Sequence, residues 1–352
     1  MAQSTPPNKE DSIDLNDKLL RLPNQFYYFV QGILTEEELD SRIAQAGCHP
    51  VDLSRIPWKQ IHHLVITDRH GHDPEKRPTR ETGSYEAYLH EDANWLLIAW
   101  PSADDVSKLF ECWTPSLKTL VLSGLTVSSI PSLARLHQLT SLEISGCKNL
   151  TTLPGLENLT QLISLDLSGC KGLTDLPKLE KLTQLTSLKL SLNSNFTELP
   201  ELENLTQLKI LNLSECDCLT GLHGLENLTQ LTSLILSECD RLTDLPGLEN
   251  LPHLNSLILM SCPGLKTLPE GLQHCKSLRQ LALFLMHLTD LPDWLPEIAE
   301  RITLDISLAD GIEKAVVSLH RTTVESIPDM SIFEQPYEMA VKWFEERYSA
   351  LQ

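Results

Sequence analysis

The sequence predicts an α/β solenoid, a fold in which short repeats of the chain stack side by side along one elongated core. One position, filled by cysteine or asparagine, recurs six times between residues 147 and 262 at a constant spacing of 23 residues. A fixed period in the twenties is typical of solenoids. The frame around it is Leu-x-x-Leu-x-Leu-x-x-Cys-x-x-Leu-Thr-x-Leu-Pro. Leucine dominates the apolar residues and only 5% of the chain is aromatic, which fits a core built from one repeated side chain.

The repeats extend beyond these six copies in both directions. Eight copies, separated by 22 to 24 residues, cover residues 117–300. They begin at Leu117, Leu139, Leu162, Leu185, Leu208, Leu231, Leu254 and Leu278. The recurring position is filled by Cys147, Cys170, Asn193, Cys216, Cys239 and Cys262. The segment Arg301–Ile306 has the features of a ninth, broken copy.

Each repeat is expected to form a short strand followed by a return segment. In the second copy, Leu142 and Ile144 alternate with polar residues, so that the strand buries one face. Four leucines of the return line the same interior, and Pro154 prevents the return from becoming a long helix. Because one repeat cannot bury these leucines alone, neighbouring repeats stack their strands about 4.8 Å apart in a parallel sheet.

The regions outside the repeats divide into an N-terminal and a C-terminal part. Residues 1–12, rich in proline and charge, predict a disordered tail, and residues 13–116 predict an α/β capping or docking module. This module is expected to contain helices within Leu15–Gly47 and from Ser102 to about Trp113, strands at Ile61–Ile66, Tyr85–Leu89 and Trp95–Trp100, and a charged loop at Asp68–Glu81. Residues 301–352 predict a C-terminal cap ending in a helix from about Gln335 to Ala350, with Met339, Trp343 and Phe344 facing inward.

Charge and hydropathy exclude two classes of partner. The formal net charge is −20, which argues against nucleic-acid and anionic membrane surfaces because phosphates would be repelled. The first 17 residues lack the apolar segment of a signal peptide, and no run approaches the ~18 apolar residues of a membrane span. We therefore expect a protein partner, with no nucleic acid and no membrane.

The cysteines predict a reducing, cytoplasmic setting. Five of the nine occupy the same position of the repeat, where stacking would place them in a column of buried, inert thiols. A disulfide scaffold would be shorter and richer in cysteine. The five Asn-x-Thr sequons are then products of the repeat frame, and we expect them to stay unglycosylated in the cytosol.

The frame resembles the leucine-rich repeat over residues 117–300. The segment Leu167–Pro177, Leu-Ser-Gly-Cys-Lys-Gly-Leu-Thr-Asp-Leu-Pro, is similar to the repeats of plant intracellular immune receptors and of many bacterial repeat proteins. The nucleotide-binding Gly-x-x-x-x-Gly-Lys-Ser/Thr of such receptors is absent from the sequence. The resemblance implies a curved horseshoe with a parallel sheet on its concave side, flanked by caps, and a function in binding.

The outward residues of the strands are the candidate partner-binding site. The fifth residue of successive repeats changes from acidic through basic and polar to apolar. The proposed contacts are Glu143, Asp166, Lys189, Asn212, Ile235, Ile258, Met260 and Phe284. The apolar residues at one end are expected to form an exposed patch. The alternative is that these rows are ordinary strand surface and that near-identical copies reflect recent duplication.

The sequence offers little support for catalysis or for a metal. Asp68–Asp73, with His62 and His63 nearby, contains ligand-type residues but lacks the fixed spacing of a metal site. Cys218 is the extra cysteine beside the column and the one candidate for a reactive thiol. We therefore expect no catalytic residues, no metal and no cofactor.

Two functions remain open at this point. In the first, the chain is a non-enzymatic interaction scaffold that recognises a protein through its concave face, as a recognition subunit in a defence, signalling or host-interaction system. In the second, it is an adaptor or inhibitor of a partner enzyme, held through the N-terminal module, because residues 13–116 are more than a cap requires.

Overall fold

The structure is a computed structural model that describes residues 36–45, 47–51, 55–67, 86–90, 95–99, 103–174, 178–199, 202–289, 292–299 and 302–308. Within these residues, thirteen strands form one open sheet. In chain order they are β1 (Cys48–Pro50), β2 (His63–Thr67), β3 (Glu86–His90), β4 (Trp95–Ala99), β5 (Thr119–Ser123), β6 (Ser141–Ser145), β7 (Ser164–Asp166), β8 (Ser187–Lys189), β9 (Ile210–Asn212), β10 (Ser233–Ser237), β11 (Ser256–Met260), β12 (Gln280–Met286) and β13 (Thr303–Leu308). Their order in space is β1-β3-β4-β2-β5 and then sequentially to β13.

The repeats form the parallel part of this sheet, as predicted. Strands β5 to β12 pair in register, so that Leu142 stands beside Leu120 on one side and Leu165 on the other. The ninth, broken copy is β13, which pairs with β12 and places Leu304 beside Leu281. Because side chains alternate across a strand, the same repeat position lies on the same face throughout.

The core is a single continuous column of leucine side chains behind the sheet. Strand leucines such as Leu165 and return leucines such as Leu179 are fully buried in it. The described returns contain six short 3-10 helices instead of α-helices, and all of them except Leu225–Asn227 follow a proline. These are Leu133–Arg135, Leu156–Asn158, Leu202–Asn204, Leu225–Asn227, Leu248–Asn250 and Glu270–His274.

The cysteine positions form a buried hydrogen-bonded column. The thiol of Cys170 donates to the carbonyl of Ile144 (2.9 Å), and the thiol of Cys239 donates to the carbonyl of Leu213 (3.2 Å). Asn193 continues the pattern, since its Nδ2 donates to the carbonyls of Leu167 and Leu190, both at 2.9 Å. Each member thereby binds the end of the preceding strand and links consecutive repeats.

The residue before each column position adopts a left-handed conformation. Glycine occupies this place in the first copies, but Leu192 (φ 63°), Glu215 (φ 56°), Glu238 (φ 51°) and Ser261 (φ 49°) occupy it later. Their backbone N–H groups donate to the carbonyl at the end of the next strand, as in Leu192 to Ser214 at 2.8 Å. The repeated turn therefore imposes this conformation even on residues with a Cβ, for which it costs roughly 1–2 kcal/mol.

The N-terminal module is continuous with the repeats. Strand β2 pairs in parallel with β5 and places Leu64 beside Leu120, which confirms the predicted degenerate repeat at Ile61–Ile66. The strands predicted near residues 85–89 and 95–100 are β3 and β4, of which β4 extends the parallel sheet and β3 turns antiparallel. Helices α1 (Glu36–Gln45) and α2 (Ala103–Glu111) lie where helices were predicted.

The far end of the solenoid carries helix α3 (Leu295–Ala299) between β12 and β13. Leu295 and Ile298 pack into the leucine core. The predicted tail at 1–12, the charged loop Asp68–Glu81 and the helix Gln335–Ala350 lie outside the described residues. The division into domains at residues 13, 117 and 301 stays a prediction.

Candidate protein-binding face

The concave face consists of the strand side chains that point away from the leucine core. In strands β5 to β12 these are the third and fifth residues of each repeat, and in-register pairing places them in continuous rows. Neighbouring members of a row are about 4.8 Å apart. The face divides into a polar half on β6 to β8 and an apolar half on β10 to β12.

The polar half presents half-exposed charges. Glu143, Asp166 and Lys189 occupy one row on adjacent strands and are each partly accessible to solvent. The carboxylate of Glu143 accepts a hydrogen bond from the Ser145 hydroxyl (2.8 Å), and that of Asp166 accepts one from the Ser168 backbone N–H (2.9 Å). These contacts orient the two carboxylates while leaving part of each available to a partner.

Asn212, on β9, follows Lys189 in the same row. The side chain is buried, and its Oδ1 accepts hydrogen bonds from the Ser191 hydroxyl (3.0 Å), the Ser214 hydroxyl (2.8 Å) and the Ser214 backbone N–H (3.1 Å). Such an amide organises the strand ends of β8 and β9 rather than offering a free oxygen. The predicted contact residue is therefore occupied by the chain itself.

The apolar half is buried, and the expectation of an exposed patch is wrong. Ile235, Ile258, Met260 and Phe284 have exposed fractions of 2%, 0%, 4% and 2%. They point away from the leucine core and do not belong to it. Sequence periodicity correctly assigned their face but could not reveal that the face is covered at this end.

Burial makes Cys216 of the column and Cys48 of the N-terminal module poor nucleophiles. Burial raises the pKa of the Cys216 thiol to about 12 and that of Cys48, in the N-terminal module, to about 11. Thiols with such values are protonated at neutral pH and unreactive. Cys218 is partly exposed, as predicted, but the sequence identifies no general base for it.

The two histidines of the degenerate repeat at Ile61–Ile66 make structural contacts. His62 Nδ1 lies 3.0 Å from the Ser116 carbonyl, and His63 Nδ1 lies 3.0 Å from the Thr119 hydroxyl. Burial, followed by repulsion from His62 and Lys118, lowers the pKa of His63. Among the described residues, no group of three His, Cys, Asp or Glu side chains is placed to hold a metal ion. The loop Asp68–Asp73 lies outside those residues.

A polar cleft at the N-terminal ends of β9 to β12 was not anticipated. It has a volume of about 550 Å³. The lining residues are Lys209, Gln230, Thr232, Ser233, His253, Asn255, Ser256 and Ser277. The Ser233 hydroxyl is buried there without a hydrogen-bond partner. No single repeat signals this cleft, because it is formed by residues from three copies.

In the part of the chain that the structure describes, no helix combines the length and apolarity needed to cross a membrane. A search of family models gives no match to the sequence, and a search of curated proteins gives none either. Solved structures do match.

The leucine-rich repeat domain of the type III effector XopL aligns with 85% of this chain and 97% of its own, at 18% identity and a TM-score of 0.52. Internalin C2 from Listeria monocytogenes aligns with 50% of this chain and 83% of its own, at 23% identity and a TM-score of 0.36. The domain of InlJ from the same organism, described as including a cysteine ladder, aligns with 55% and 49%, at 22% identity and a TM-score of 0.36. Together with the in-register sheet and the leucine core, the XopL match identifies this chain as a protein with the leucine-rich-repeat fold.

Proposed function

We propose that this chain is a non-enzymatic scaffold that binds a protein partner through the polar half of its concave face. The observation that carries the proposal is the row Glu143, Asp166 and Lys189, which three in-register strands hold half-exposed on one face. The carboxylates are oriented by hydrogen bonds from Ser145 and Ser168. Oriented charges on a rigid sheet suit recognition of a complementary surface, because little side-chain freedom is lost on binding.

The charge pattern defines the chemistry of the partner. Two acidic residues are followed by one basic residue, at spacings of about 4.8 Å. A partner with basic groups facing β6 and β7 and an acidic group facing β8 would complement this row. We propose that such a surface serves recognition within a defence, signalling or host-interaction system.

A reducing, cytoplasmic setting and a non-catalytic role are part of the same proposal. The column thiols act as hydrogen-bond donors to backbone carbonyls, as Cys170 does to Ile144, and this requires them to be reduced. Their burial removes them from chemistry with substrates. We assign no nucleophile–base pair to the hydroxyls and carboxylates of the polar half.

Charge reversal tests the proposal directly. Full-length chain and its Glu143→Lys/Asp166→Lys variant are used as baits in lysate of the source organism, and captured proteins are quantified by mass spectrometry. A protein recovered with the native chain should fall at least tenfold with the variant, because two attractive contacts become repulsive. The matched control is Glu203→Lys/Glu226→Lys, which makes the same charge change at exposed positions of the return segments. Equal capture by both variants would reject the polar half as the binding surface.

A further inference from the structure

The apolar half of the concave face is buried without belonging to the core. Five side chains on β10 to β12 make up this apolar patch. They are Ile235, Ile258, Met260, Ala282 and Phe284, each at most 4% exposed. Pairing in register places Ile258 between Ile235 and Ala282, with Met260 beside Phe284. Three serines around the patch, Ser233, Ser237 and Ser256, are buried as well.

The sheet alone cannot bury these side chains. Asp166 and Lys189 occupy the same row of the same face, have strand neighbours on both sides, and are partly exposed. Their neighbours in the row therefore leave both of these side chains in contact with solvent. Complete burial of Ile258 requires a further layer of atoms on top of the strand.

The described helices lie elsewhere. Helix α3, which is next to this end in the chain, packs Leu295 and Ile298 into the leucine core on the opposite side of the sheet. Helix α1 contacts β1, nine strand positions from β10 in the sheet order, which corresponds to roughly 40 Å at about 4.8 Å per strand. Helix α2 packs Val106 and Leu109 into the leucine core, so that none of the described helices supplies the layer over the apolar patch.

We propose that the C-terminal segment, residues 309–352, docks on the apolar patch through the apolar face of the predicted helix at Gln335–Ala350. The chain leaves the sheet at Leu308 in β13, which is paired with β12 and hence adjacent to the patch. Forty-four residues follow it, so that a segment long enough to reach the patch starts beside it. Helix α1, which follows residues 1–35 in the chain, contacts β1 at the opposite end of the sheet.

The chemistry of the segment matches the patch. Met339 and Trp343 would lie on one side of the predicted helix, since residues four apart share a face, and Phe344 would flank them. A helix of 16 residues is about 24 Å long, which exceeds the width of the three strands β10 to β12 at about 4.8 Å each. Residues 309–352 contain eight Asp and Glu but only four Lys and Arg, so Glu143 and Asp166 would repel the segment from the polar half.

This arrangement gives the concave face one surface for the chain's own tail and one that stays open. The consequence for binding rests on the proposed function, because a partner would reach Glu143, Asp166 and Lys189 directly but would reach Ile258 only after displacing the segment. Docking itself can be tested without any partner, and its failure would leave the charge-reversal test of the polar half unaffected.

Photo-crosslinking in the full-length chain identifies the occupant. Met260 is replaced by p-benzoylphenylalanine, the purified protein is irradiated, and crosslinked peptides are identified by mass spectrometry. We expect intramolecular crosslinks to residues 309–352. Crosslinks to residues 1–35, crosslinks between two copies of the chain, or the absence of any crosslink would overturn the proposal. The same probe at Asp166 is the control, and it should not react with the C-terminal segment.

A second substitution tests the helix face while leaving the repeats untouched. With the probe at Met260, Trp343→Asp should lower the yield of the crosslink to residues 309–352 at least fivefold, whereas Glu345→Gln, on the opposite side of the predicted helix, should leave it unchanged. Circular dichroism of both variants verifies that the solenoid is folded. An unchanged yield with Trp343→Asp would contradict docking through this face.

Discussion

Asn193 is the one departure from cysteine in the hydrogen-bonded column, and it indicates what the position requires. Its amide donates to the carbonyls of Leu167 and Leu190, but its Oδ1 is buried without a partner. The thiol of Cys216 makes the equivalent bond to the carbonyl of Leu190 at 3.3 Å. The position therefore requires a small buried donor, and either residue type can provide it.

Substitution of Asn193 tests this requirement. Asn193→Ala should lower the free energy of unfolding by about 1–3 kcal/mol, because the buried Leu167 carbonyl loses its donor and the Leu190 carbonyl keeps only the Cys216 thiol. Asn193→Cys should destabilise the protein clearly less, since a thiol donates at the neighbouring positions and the unpaired oxygen is removed. Urea unfolding followed by circular dichroism measures both variants. Equal destabilisation by cysteine and alanine would refute the role of the donor.

Leu192 illustrates a conformation dictated by the repeat rather than by the residue. Its φ of 63° lies in the left-handed region, and 37% of its surface is exposed. Removal of the side chain therefore loses little packing, while glycine relieves the steric strain of a Cβ in this conformation.

Two substitutions at Leu192 separate strain from packing. In ordinary elements glycine is less stable than alanine by roughly 0.5–1 kcal/mol, but here Leu192→Gly should be more stable than Leu192→Ala by about 1 kcal/mol. Thermal and urea unfolding of the two variants provide the comparison. A glycine variant less stable than the alanine variant would mean that the left-handed turn is not imposed in solution.

At the scale of the element, the strand and return of each repeat follow directly from the sequence. Leu165 and its equivalents alternate with polar residues, and the structure places them in register across eight copies. The N-terminal strands were predicted individually, but their order was not. Strand β2 pairs with β5 although β3 and β4 lie between them in the chain, and this depends on long-range pairing that local periodicity does not encode.

A pair of substitutions compares the buried Leu165 of β7 with the exposed Ile163 just before that strand. Leu165→Ala should destabilise the protein by about 2–5 kcal/mol, because Leu165 is fully buried in the core and a cavity would remain. Ile163→Ala, two residues away at 46% exposure, should change stability by less than about 0.5 kcal/mol. Denaturant unfolding gives both values, and similar losses would contradict the burial of Leu165 in the core.

At the scale of the whole molecule, one continuous sheet joins the N-terminal module, the repeats and the ninth copy. The rows of the concave face were predictable, because a fixed period assigns the same position to the same face. The burial of Ile258 was not, since it requires residues distant in sequence to cover the strand. The proposed binding surface is consequently shorter than the repeat array and is centred on β6 to β8.

Carboxylate footprinting in the full-length chain tests this central claim most directly. The free chain and its complex with the captured partner are treated with a carbodiimide and glycine ethyl ester, and modification of each Asp and Glu is quantified by mass spectrometry. Binding at the polar half predicts that the partner protects Glu143 and Asp166 from modification while Glu203 and Glu226 on the return segments react as before. Protection of Glu203 and Glu226, with Glu143 and Asp166 unchanged, would contradict binding through the concave face.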